Sequence, residues 1–80
     1  MTASEYFDLQ WIDNVSLDGV EWVLFSDDAG CFVARAEDFF GTVFDADRNK
    51  TNEYAAWCEA FLGDDEQRSA VIAAVALRDL

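Results

Sequence analysis

Seventeen acidic residues against five basic ones give this chain of eighty residues a net charge of −12, and it has no histidine. That balance excludes most general-base and metal-dependent chemistry, and it disfavours direct contact with nucleic acid or an anionic membrane, which needs Lys and Arg. Apolar residues at 52% and aromatic residues at 15% exclude a disordered chain and leave room for one small domain spanning 1–80.

Phe7, Leu9 and Trp11 alternate with Asp8 and Gln10, which is a strand period and predicts a strand over Glu5 to Ile12. A short helix started by Ser4 and Glu5 is the alternative there. Asp13 to Gly19, rich in Asp, Asn, Ser and Gly, reads as a turn region. Val20 to Phe25 and Cys31 to Ala36 are rich in strand formers. They flank Ser26 to Gly30, whose glycine tolerates positive φ, so the two runs predict a β-hairpin.

Glu37 to Phe40 reads as a turn or single helical turn. Gly41 to Asp45 reads as a fourth strand and Asp45 to Lys50 as a loop. Thr51 is placed to cap a helix in which Tyr54, Trp57, Cys58, Phe61 and Leu62 recur at helical spacing, with Gly63 as its C-terminal cap. Asp64 caps a second helix to about Arg78, with Gln67 as its capping-box partner. Val71, Ile72 and Val75 mark the main face of that helix. It is apolar nearly all round, as in helices buried on two sides or engaged in a dimer. The expected fold is α+β: an antiparallel sheet of three to four strands packed against a C-terminal two-helix hairpin lying on one face. Trp57 and Phe61 are expected in its core. Trp11 and Trp22 are expected there too, unless one of them is an exposed anchor for a partner.

Without histidine, no serine or cysteine nucleophile has its usual base, and the four glycines are too scattered for a phosphate loop. Asp45, Asp47 and Asn49 copy the first three ligand positions of a calcium-binding EF-hand loop. Lys50 then stands where glycine is needed and Ala56 where a bidentate Glu is needed, so a solvated loop is expected. Cys31 and Cys58 make no disulfide framework and are expected as reduced, buried thiols. No enzyme activity, cofactor or metal is expected. The N-terminus lacks the basic and apolar regions of a signal peptide, and no apolar run approaches the ~20 residues of a membrane span. A soluble, intracellular protein with no membrane association is therefore expected, as a monomer or small homo-oligomer.

The acids are what remains. A globule of this size is ~30 Å across, and duplex DNA of that length carries ~18 phosphate charges. The acidic count is thus comparable to that of a phosphate track. Eleven of the first twelve charged residues are negative; Arg35 is the exception. The candidate partner-binding residues are Asp8, Asp13, Asp18, Glu21, Asp27, Asp28, Glu37, Asp38, Asp45 and Asp47, on the expected sheet and its loops. A charge this far from zero costs stability through self-repulsion and points to a basic protein or complex as partner.

In its shortness, its acidity, its aromatic content and its lack of catalytic residues, the chain resembles phage-encoded DNA mimics, especially anti-CRISPR proteins of the type I group. Phe44-Asp45-Ala46-Asp47 followed by Tyr54-Ala55-Ala56-Trp57 looks like the strand-to-helix passage of some of them. The resemblance implies a bacterial cytoplasm as the site of action. It also implies that the acids occupy the basic DNA-binding channel of a CRISPR–Cas surveillance complex, in place of duplex DNA. Two other functions stay open: an antitoxin or immunity-type binder of a basic toxin or nuclease, and a structural phage accessory protein that assembles through its C-terminal helix.

Overall fold

The computed structural model describes residues 2–41 and 50–78, and the side chains of the second stretch from Tyr54 onward. Its elements run α1 (Ala3–Tyr6), β1 (Gln10–Leu17), β2 (Val20–Asp27), β3 (Gly30–Arg35), α2 (Ala36–Phe39), α3 (Lys50–Phe61) and α4 (Asp65–Arg78). The strands form one antiparallel sheet in the order β1-β2-β3. The α+β architecture is as the sequence indicates. The expected fourth strand over Gly41 to Asp45 and the loop from Asp45 to Lys50 lie outside the described residues, apart from Gly41 and from Lys50, which is the first residue of α3 and not loop.

The strand expected over Glu5 to Ile12 is found only from Gln10 onward, and a short helix, the alternative, precedes it. Ala3–Tyr6 is helical because Thr2 and Glu5 form a capping box, each bonding the other's backbone amide. The chain then reverses through Asp8, whose φ of 53° lies in the left-handed region that Asp tolerates better than most residues. Asp13 to Leu17, expected as turn, is strand. The turn itself is only Asp18-Gly19, with φ of 52° and 81°. Two consecutive positive-φ residues are what a two-residue type I′ hairpin requires, and Asp-Gly is among its preferred sequences. The pairing of β1 with β2 slips between Trp11 and Asp13, leaving Ile12 as a bulge.

The central strand β2 has a side chain buried at each of Trp22, Val23, Leu24 and Phe25. Successive side chains of a strand point to opposite faces, so both faces of the sheet are covered. On one face Val23, Phe25 and Ala34 pack with Leu9, Phe39 and Trp57, which brings α1, α2 and α3 to that side. On the other, Val15, Trp22, Leu24 and Val33 pack with Val71 of α4. The two C-terminal helices therefore divide between the faces, which corrects the expectation that both lie on one.

Gly63 explains the division. Its φ is not in the left-handed region, so it is not the expected C-terminal cap. Its amide donates to the Val33 carbonyl at 2.9 Å, and Leu62 bridges Ala34. A Cβ on Gly63 would lie 2.7 Å from Val33 Cγ2. Only glycine lets the chain cross the edge of β3 this closely and pass from one face to the other. Asp64 then caps α4 as expected: its carboxylate accepts from the Gln67 backbone amide at 2.8 Å, and the Asp64 backbone amide donates to Gln67 Oε1 at 2.9 Å. Thr51, expected as the cap of α3, falls at its second residue, because the helix begins at Lys50.

Both edges of the sheet are closed by side chains from α4. Arg68 Nε donates to the Cys31 carbonyl on the outer edge of β3 at 2.6 Å, with its guanidinium 5.7 Å from the Phe32 ring centre. Arg78 Nη1 donates to the Asn14 carbonyl on the outer edge of β1 at 2.9 Å, and Nη2 bonds Asp13. Ten residues of helix span ~15 Å, and the edge strands of a three-stranded sheet are ~9.6 Å apart. Helix α4 thus crosses the sheet obliquely, with an arginine bonded at each edge. An unpaired strand edge is a template for association, and these contacts blunt it.

Core placement follows expectation for Trp57 and Trp22, which are buried. Phe61 is 42% exposed, which corrects its assignment to the core, and Trp11 is 54% exposed on β1. The inner side of α4 is Val71 with Ala74 and Val75. Ile72 is turned outward, so α4 is buried on one side and not on two.

Candidate functional site

Consecutive hairpin turns of an antiparallel sheet lie at opposite ends, and this sorts the acids. Asp18 and Glu21 sit at the β1–β2 turn. Asp27 and Asp28 sit at the β2–β3 turn, eight-residue β2 running between. A strand rises ~3.3 Å per residue, so the two acidic ends are separated by about 23 Å.

The first end is the richer one. Arg35, at the last position of β3, lines three adjoining grooves. Around it are Asp18, Glu21, Glu37 and Asp38, together with Asp64 and Glu66 from the start of α4. Arg35 approaches Glu37 at 3.8 Å. Burial pushes the Asp38 carboxyl above the ordinary carboxylate range, and the neighbouring Glu37 adds to the rise. Six acidic residues thus line the grooves that Arg35 also lines. Asp64 and Glu66 line this site although neither is among the candidate residues read from the sequence. The signal was present in the Asp64 capping box, but its position beside β3 depends on the Gly63 crossing.

The second end combines acids with aromatic walls. A groove there is lined by Phe7, Asp8, Asp27, Asp28 and Tyr54. Phe7 and Tyr54 are 4.9 Å apart, and Tyr54 stacks on Trp57 at 6.0 Å with the planes 14° apart. Asp8 and Asp28 are exposed. Aromatic faces beside carboxylates suit the guanidinium or ammonium of a basic partner. Phe7 and Tyr54 were missed at this end because the sequence shows them only as marks of strand alternation and helical spacing.

Two of the expected partner-binding acids are engaged within the fold. Asp13 bonds Arg78, which holds its carboxyl below the ordinary range, and its other oxygen accepts the Asn14 amide at 2.7 Å. Asp27 Oδ1 accepts the amides of Ala29 at 2.7 Å and Gly30 at 3.1 Å, while its Oδ2 accepts from Tyr54. Asp8, Asp18, Glu21 and Asp28 are exposed, and their side chains hold no hydrogen bond or ion pair among the described residues. Glu37 is exposed beside Arg35. Asp45 and Asp47 lie outside the described residues, as does the EF-hand-like stretch up to Asn49.

Cys31 and Cys58 are free and half-buried. Burial pushes the Cys58 thiol up, keeping it protonated at neutral pH. Among the described residues no group of three Cys, Asp or Glu side chains is arranged to hold a metal ion, and no helix is long and apolar enough to cross a membrane. No family model, curated protein or solved structure matches the chain.

Proposed function

We propose that this protein is a non-catalytic inhibitor that mimics DNA, occupying the basic DNA-binding surface of a nucleic-acid-handling complex of the CRISPR–Cas surveillance type. One observation supports the proposal: each described arginine is engaged within the fold, while Asp8, Asp18, Glu21, Asp28 and Glu37 are exposed. Arg68 and Arg78 are bonded to strand carbonyls, and Arg35 lies 3.8 Å from Glu37. The exposed acids gather at two ends about 23 Å apart, some two-thirds of a ~34 Å duplex turn. Lys and Arg residues that hold a phosphate track would meet carboxylates at a comparable reach.

The test is competition. The purified chain is titrated against a CRISPR–Cas surveillance complex holding labelled duplex, at rising salt. Displacement of the duplex, weakening steeply as salt rises, is expected. Glu21→Lys with Asp18→Lys should weaken displacement by at least about tenfold, that is by ~1.4 kcal/mol. Displacement that is insensitive to salt and to these reversals would sink the proposal. Binding to a basic toxin or nuclease, with none to the surveillance complex, would favour the neutralising function.

A further inference from the structure

The groove at the second acidic end is assembled from three stretches far apart in the chain. Phe7 and Asp8 follow α1, Asp27 to Ala29 form the β2–β3 turn, and Tyr54 belongs to α3. It encloses about 320 Å³ and opens to solvent. Its aromatic wall is held in place. The Phe7 and Tyr54 rings are 4.9 Å apart, Tyr54 stacks on buried Trp57, and its hydroxyl donates to Asp27 Oδ2 at 2.6 Å. Its acids divide in role. Both Asp27 oxygens are engaged within the fold, whereas the Asp8 and Asp28 side chains are exposed and hold no hydrogen bond or ion pair among the described residues.

We infer that this groove takes an arginine side chain of the basic partner, in preference to lysine. The inference rests on the proposed function for the basic character of that partner, and adds where one of its side chains is read. Charge complementarity singles out this end. Arg35 lines each groove described at the first end, so an incoming cation meets a resident one there. The second groove has three aspartates and no basic residue among the described residues that line it.

The aromatic wall then chooses between the two basic side chains. A guanidinium is planar and weakly hydrated. It can lie against a ring while two of its N–H groups donate to one carboxylate, here that of Asp8 or Asp28. An ammonium is a compact, strongly hydrated charge with no flat face, so the same wall costs it more solvation and returns less contact.

The test is calorimetric titration of the full chain with hexa-arginine and hexa-lysine, peptides of equal charge, at ~0.15 M salt, with amide chemical shifts locating the contact. Hexa-arginine is expected to bind at least about fivefold more tightly and to shift the amides of Asp8, Asp28 and Tyr54. Phe7→Leu keeps an apolar side chain and removes the ring; Asp28→Asn removes one exposed charge. Each should bring the two affinities together with unchanged far-ultraviolet circular dichroism. Glu21→Gln, at the opposite end, should lower both affinities alike and preserve their ratio. Equal affinities in the wild-type chain, shifts confined to the first end, or a ratio that the folded variants retain would each overturn the inference. Displacement of duplex from a surveillance complex is a separate result. Its absence beside a clear arginine preference defeats the proposed function alone, and its presence beside equal peptide affinities defeats this inference alone.

Discussion

The Tyr54 hydroxyl donates a hydrogen bond of 2.6 Å to Asp27 Oδ2, tying α3 to the turn between β2 and β3. The other Asp27 oxygen already organises that turn through Ala29 and Gly30. One carboxylate therefore joins a local turn to a helix 27 residues away, and an acid expected to face a partner serves the fold.

The pairing has a signature at alkaline pH. Burial, followed by the bond to Asp27, pushes the Tyr54 hydroxyl well above its ordinary value near 10. The unfolded chain then releases this proton first, so Tyr54 contributes stability that is intact below its ordinary range and lost as pH rises beyond it. Cys58, also pushed up by burial, adds to the same fall from its ordinary value near 9. Tyr54→Phe should cost about 1–2 kcal/mol at pH 7 and flatten the alkaline fall, measured by urea denaturation. An unchanged alkaline limb in that variant would mean the coupling is absent.

Arg78 holds the β1 edge through Asp13 and the Asn14 carbonyl. Because Asp13 is held below its ordinary value near 3.8, the pairing contributes stability above that value and loses it as pH falls through the lowered range. Arg78→Met should speed amide exchange along β1 at pH 7. The stability gap between variant and wild type should close as the solution is acidified. Equal exchange in both proteins would show that the edge is closed by other means.

At Gly63, Ala should be poorly tolerated. Its Cβ would meet Val33 Cγ2 at 2.7 Å, Gln67 Oε1 at 3.1 Å and the Trp22 ring at 3.2 Å. Overpacking of this kind costs about 1–3 kcal/mol. Adding Val33→Ala should recover part of the loss. A double-mutant cycle on thermal unfolding gives the coupling, and strict additivity would argue against the clash.

Asp38 should behave in the opposite sense to Asp13. Its carboxyl is pushed up by burial and by Glu37, so its charged form opposes folding at pH 7 and the opposition fades as pH falls toward its ordinary range near 3.8. Asp38→Asn should raise Tm at pH 7, with the gain vanishing in acid. A lower Tm at pH 7 would instead show that the charge supports α2.

The elements that depend on near neighbours could be read from the sequence alone. The β2–β3 hairpin follows from two runs of strand formers around a glycine turn. The start of α4 follows from Asp64 and Gln67, whose bonds are local. The net charge, and with it the class of partner proposed, is likewise a property of composition. Some of the fold was present in the sequence and misread: Asp18-Gly19 marks a tight hairpin, and the unbroken run Trp22 to Phe25 marks a strand covered on both faces.

The tertiary structure decided the rest, because it rests on contacts between distant residues. Asp13 and Asn14 favour turns, yet they lie in a strand whose outer edge is held by Arg78, more than sixty residues away in the chain. The close passage of Gly63 over Val33 sends α3 and α4 to opposite faces. That passage also sets Asp64 and Glu66 beside Arg35. Composition fixes how many charges the chain carries; which of them face outward depends on where each arginine finds its carbonyl or carboxylate.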